Sequence, residues 1–139
     1  MYSGKIIEPP IRGLFCGEVL MKKLYGNIVT GAFVMRMNRF VIHAEIDGRI
    51  EICHMPNPGR MRELLFPGVK MYLVKSRNPL NRTAYRVIGV ERDGEVILLD
   101  TSKCNDVAHY LVSHHLIAGW EEYSVVQREV TMGNSRFDL

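Results

Sequence analysis

From Gly31 to Asp100 apolar and polar residues alternate with a period near two, and beyond Asp100 the period lengthens to that of a helix. "AFVMRMNRFVIHAEID" alternates on both sides of a break at Asn38, and a turn at Gly48-Arg49 leads into "IEICH", which predicts a hairpin. In "MPNPGRMRELLFPG", Pro56 and Pro58 fix two backbone angles and Gly59 frees one. A single helical turn over Arg60–Leu65 and a tight turn at Pro67-Gly68 are expected there. "VKMYLVKS" (69–76) alternates again, with Val69, Met71 and Leu73 on one face and Lys70 and Tyr72 on the other. A polar loop, "RNPLNRT", separates it from "AYRVIGVE" and "EVILLD", which Asp93-Gly94 joins as a hairpin.

Five strands with short turns and no long helix predict a small closed or partly open barrel over residues 31–100. An OB-like barrel fits that length, and a small SH3-like barrel is the alternative. In "NDVAHYLVSHHLIAG" the residues Val107, Ala108, Leu111, Val112, His115 and Leu116 form one apolar stripe at helical spacing. Asn105 suits the N-cap of this helix and Gly119 its end. "YSVVQREVTM" returns to strand, Gly133-Asn134 makes a turn, and a final strand begins at Ser135. The fold class expected is α+β: an arm over 1–30 with no assignment, the barrel over 31–100, and the opening elements of an α/β domain over 101–139. The arm has no clear period, and Met21 and Met35 are alternative starts.

At 139 residues and 47% hydrophobic content the chain is long enough for one real core. No apolar run approaches the roughly 20 residues of a membrane span, so no membrane partner is expected. The acid and prolines of the first residues make a poor signal peptide. Three dispersed cysteines, Cys16, Cys53 and Cys104, form no CxxC pair. A disulfide framework and a zinc site are therefore not expected, and a reducing cytoplasm is the natural compartment. Charge changes the picture more. Residues 36–86 carry ten cations against four acids, a net +6, whereas the residues from 107 onward are net −2. A basic front and a mildly acidic back predict a first domain that faces a polyanion.

The stiff loop "HMPNPGRM" (54–61) holds His54, Asn57 and Arg60 at fixed places, with Arg62 just beyond. It suits a phosphate or a base edge, and equally a tight corner in which Asn57 bonds its own backbone. His109, His114 and His115 do not share one helical face, so a three-histidine metal site is not expected. His115, on the apolar stripe, is expected in the core and the other two at the surface. Glu129 and Asp138 lie on strands joined by a short turn and offer two carboxylates to a hard cation such as Mg²⁺.

The blocks "NRF" (38–40), "HMPNPGRM" (54–61), "PG" (67–68), "NRTAY" (81–85), "DTSKCN" (100–105) and "REVTMGNSRFD" (128–138) together resemble the sugar fermentation stimulation protein A (SfsA) family. The resemblance runs from about Gly31 to the last residue and implies an N-terminal OB-fold followed by a domain of the PD-(D/E)xK nuclease fold. It further implies DNA as partner, a link to the regulation of sugar-utilisation genes, and a nuclease activity inferred from the fold. By the same likeness Asp138 takes the place of the metal-binding aspartate, with the Glu-x-Lys half expected on a following strand. The sequence stops one residue after Asp138 and reads as cut there.

These readings give Arg39, His54, Asn57, Arg60 and Arg82 as the DNA-contact set, with stacking from Tyr72, Tyr85 or Phe40 where they face the groove. Asp138 and Glu129 make a partial metal site. No cofactor is expected in this chain, and Mg²⁺ belongs to a full-length form. Without its second acid and its lysine the chain alone is expected to be inactive as a nuclease. The alternatives are a fragment of a Mg²⁺-dependent DNA nuclease and a non-catalytic interaction module, whose unpaired sheet edge would invite a homodimer.

Overall fold

The computed structural model describes residues 15–123 and 127–137, with side chains from residue 20 onward. It contains one compact unit over Gly17–Ser102 and a second that includes the residues from Lys103 onward.

In the first unit a helix α1 (Phe15–Tyr25) precedes six strands: β1 (Ile28–Asn38), β2 (Val41–Ile46), β3 (Arg49–His54), β4 (Lys70–Lys75), β5 (Tyr85–Arg92) and β6 (Glu95–Leu98). The sheet order is β3-β2-β1-β4-β5-β6, and a short parallel pairing of β3 with β5 closes the first five into a barrel. All other neighbours are antiparallel. This closed, mixed five-stranded ring is the OB topology.

Two strand-level expectations need correction. The break at Asn38 is a full reversal, so one long strand becomes two, β1 and β2, and the sheet has six strands, five of which close the expected barrel. Asn38 drives it by accepting the Phe40 N–H on its side-chain oxygen at 2.8 Å. The next turn sits one residue earlier than expected, at Asp47-Gly48, where φ values of 51° and 74° give the mirror-image turn that suits twisted hairpins. Asp93-Gly94, at 53° and 79°, makes the same turn where the sequence places it.

The barrel is filled by Phe33, Ile42, Ala44, Ile46, Cys53, Met55, Val69, Met71, Leu73, Val87, Val90 and Leu99. Helix α1, in a stretch with no clear sequence period, covers the outside: Met21 packs with Tyr72 and Ile88 from the opposite face of β4 and β5. Both faces of β4 are thereby buried, and its alternation reads as polar-out only in sequence. Gly89 lets the helix approach, since a Cβ there would lie 3.0 Å from the Ile97 carbonyl oxygen and 3.3 Å from the Met21 methyl.

Asp100 is 1% exposed and fastens the helix to the sheet. Its Oδ2 accepts from the Tyr25 hydroxyl (3.0 Å) and Arg86 Nε (3.3 Å), and its Oδ1 from Arg86 Nη2 (2.8 Å) and the Ser102 hydroxyl (2.6 Å). Burial pushes this carboxyl up, but the hydrogen bonds and the Arg86 charge outweigh it and hold the group below the usual carboxylate range.

A 3-10 turn (Thr101–Lys103) ends the first unit and leads into the second, which holds α2 (Cys104–Ser113) and a hairpin of β7 (Val130–Met132) and β8 (Ser135–Phe137). Lys103, not Asn105, occupies the N-cap position and makes no side-chain cap bond, and the helix stops at Ser113, well before Gly119. His115 has left the helix with φ 53° and is exposed, which corrects its expected place in the core. Leu111 and Val112 are the buried residues of the stripe. Of "YSVVQREVTM" only Val130–Met132 pairs as strand, and residues 124–126 lie outside the described residues. The turn at Gly133-Asn134 stands as expected.

Candidate nucleic-acid interface

Four of the ten cations of residues 36–86 gather at one end of the barrel. The β1–β2 turn and the loop between β3 and β4 meet around a concave pocket of about 560 Å³, lined by Phe33, Arg36, Asn38, Arg39, Pro58, Arg60, Arg62 and Leu65. Four arginines and no acid line it. Phe33, Leu65 and Pro58 supply an apolar floor.

Local sequence builds this pocket. The Asn57 side-chain oxygen accepts the Gly59 N–H at 2.9 Å, an Asx turn between two prolines. A Cβ on Gly59 would stand 3.0 Å from that same oxygen. Met61 then adopts φ 46°, a left-handed conformation that costs a side-chain-bearing residue about 1 kcal/mol. The Met61 carbonyl in turn accepts the Leu64 and Leu65 N–H groups at 3.0 and 2.9 Å, so the expected single turn forms. Met61 packs on the barrel core while its neighbours Arg60 and Arg62 line the pocket.

Arg36, on β1, joins the two segments and is absent from the expected contact set. It donates from Nε to the Asn38 carbonyl (3.1 Å), from Nη1 to the carbonyls of Gly59 (2.5 Å) and Arg60 (3.2 Å), and from Nη2 to those of Arg39 (2.7 Å) and Asn57 (3.0 Å). Burial lowers its pKa, yet an arginine keeps its proton throughout the physiological range. Only its place one strand before the turn hints at this role in the sequence.

Of the expected contacts, the structure brings Arg39 and Arg60 together. Asn57 serves the loop's own backbone. His54 is half-buried at the end of β3, opposite Val41 and in register with Arg86, and is not part of the pocket lining. Arg82 is exposed in the loop between β4 and β5 and does not line the pocket either. Of the three aromatics, Tyr72 is buried beneath α1 with its hydroxyl on Glu91, and Tyr85 packs against the barrel core. Phe40 is 48% exposed, with the Arg39 guanidinium 5.9 Å from its ring centre.

Residues 34–99 match the model of the SfsA N-terminal OB domain. Through this domain the chain belongs to the SfsA family. Sugar fermentation stimulation protein homologs from Clostridium beijerinckii (36% identical) and Alkaliphilus oremlandii (40% identical) each match 83% of this chain, and the chain covers 50% and 49% of them. It thus spans about half the length of the curated relatives it matches. The solved structure of Pyrococcus furiosus SfsA in complex with Ca²⁺ superposes with a TM-score of 0.61 at 28% identity, over 81% of this chain and 48% of that one.

The partial metal site expected from the SfsA resemblance is only partly in view, because Asp138 lies outside the described residues. Glu129 sits just before β7 with φ 56°, exposed, and its carboxylate is paired with Arg136 of β8. Among the described residues no group of three or more His, Cys, Asp or Glu side chains gathers to hold a metal. Also among the described residues, no helix is long and apolar enough to cross a membrane.

Proposed function

We propose that this SfsA-family chain binds DNA through the basic end of its OB barrel, in a role that regulates sugar-utilisation genes. The observation that carries the reading is the convergence of Arg36, Arg39, Arg60 and Arg62 on one concavity with no acid among them. Uncompensated guanidiniums attract phosphates and release the counterions around them. Arg39, Arg60 and Arg62 are the direct phosphate contacts, and Phe40 at the turn is placed to stack on a base. The regulatory part rests on the names of the matching homologs. Fluorescence anisotropy of a labelled oligonucleotide tests the binding: three phosphate contacts give a slope of about −3 in log affinity against log salt. Binding that ignores salt would overturn it.

A second reading, a fragment of a Mg²⁺-dependent DNA nuclease with a PD-(D/E)xK-like second domain, draws on the Ca²⁺ complex of the longer Pyrococcus furiosus protein. Cleavage of plasmid DNA in Mg²⁺ by a chain extended to the length of the relatives, but not by the 139 residues alone, supports it.

A further inference from the structure

We propose that Arg36 is a positioning residue that makes the barrel end a preorganised receptor for DNA phosphates while touching none of them itself. This rests on the DNA-binding reading above. A guanidinium carries five N–H donors in a rigid plane. At Arg36 each meets a backbone carbonyl: Asn38 and Arg39 in the β1–β2 turn, Asn57, Gly59 and Arg60 in the loop beyond β3. No donor is left for a ligand. Two of the five acceptors are the carbonyls of Arg39 and Arg60, the residues whose own side chains line the pocket. Arg36 therefore pins the backbone from which the phosphate-binding guanidiniums project.

Without it, carbonyls from two separate segments would face one another with no donor between them, and turn and loop would part. Binding would then carry the cost of ordering Arg39, Arg60 and Arg62 at the moment of contact. Lysine cannot substitute. Its ammonium has the charge but only three donors on one atom, which cannot reach five carbonyls spread along the edge of a planar fork. A phosphate-contacting arginine behaves differently, because a lysine in its place still offers a cation to the backbone.

The test compares Arg36→Lys and Arg36→Met with Arg39→Lys and Arg60→Lys in two measurements. In anisotropy with a labelled duplex at low salt, both Arg36 variants are expected to lose about tenfold or more in affinity, and the Arg39 and Arg60 lysine variants about threefold or less. Limited trypsinolysis reads the loop without DNA. Cleavage after Arg60 and Arg62 is expected to accelerate in Arg36→Lys, while cleavage after Lys70 and Lys75 in β4 stays at the wild-type rate and reports an intact barrel. Wild-type affinity in Arg36→Lys, or equal losses in all the lysine variants, overturns the proposal, as does an unchanged cleavage pattern. Failure of the wild-type chain to bind any oligonucleotide overturns the DNA reading, whereas the trypsin pattern then still decides whether Arg36 holds the loop.

Discussion

Arg36 and Arg86 are both half-buried, and each ties together segments far apart in sequence, yet they end in opposite electrostatic states. Arg86 meets the buried carboxylate of Asp100 at 2.8 Å, and the two charges cancel. Arg36 meets only carbonyl dipoles, which solvate a cation without cancelling it, and its neighbours in the pocket are three more arginines. Where the fold needs only to hold helix to sheet, it neutralises the charge it uses. At the barrel end it organises charge with neutral groups and leaves the whole positive sum facing solvent. That difference separates an arginine whose charge is spent on holding the fold from one whose charge stays uncancelled at the pocket.

The largest effect should follow from breaking the neutral side. Asp100→Ala removes the acceptor of Tyr25, Arg86 and Ser102 at once and is expected to cost about 3 kcal/mol in urea denaturation, near the low end for a buried pair because Arg86 is 37% exposed. DNA affinity at a temperature where the variant is folded should not change. Breaking the charged side should do the reverse. Arg60→Ala is expected to lower DNA affinity about tenfold and reduce the salt slope by about 1, with stability altered by less than about 0.5 kcal/mol. Loss of stability in that variant would make Arg60 a second Arg86.

Acid separates the two sites more finely. Asp100 has a folded pKa below its unfolded value, so its stabilising contribution is present above the unfolded carboxyl pKa of about 3.9 and is lost as the pH falls through the folded value. Thermal melts should show this loss below about pH 4, and Asp100→Asn should flatten it. The arginine pocket has nothing to titrate, so its salt slope should be the same at pH 6 and pH 8. Smallest of all, Glu129→Gln should change stability by no more than about 0.5 kcal/mol, because its pair with Arg136 is exposed on both sides. A larger loss would place Glu129 in more than a surface pair.

The barrel was legible in the sequence because its strands keep period two and its turns are Asp-Gly and Pro-Gly pairs, which act locally. Helix α1 was not, because its buried Met21 meets a covered sheet face that only the closed fold creates. The same face hides Tyr72, whose place among polar neighbours suggested a stacking residue. At the pocket, Arg39 and Arg60 could be read from the family-like blocks, since loop and turn sequences mark them. Arg36 could not. It lies two residues before the end of β1, and its five partners are backbone carbonyls, which leave no trace in residue identity. His54 and Arg82 belong to the same blocks but lie outside the pocket lining, because residue type does not reveal which side of a strand end or loop faces it.

The barrel is fastened by a seam of only two residue pairs, Cys53 with Tyr85 and His54 with Arg86, joining strands roughly thirty residues apart. Every other junction between neighbouring strands is longer, at four to six pairs. A chain assembling this ring can form its hairpins early and gains little from the seam until both flanking sheets exist. With two pairs, the seam is the shortest junction of the ring. The loop that carries Arg60 and Arg62 lies within the span that this seam closes, so the arginine pocket hangs on the ring's shortest junction.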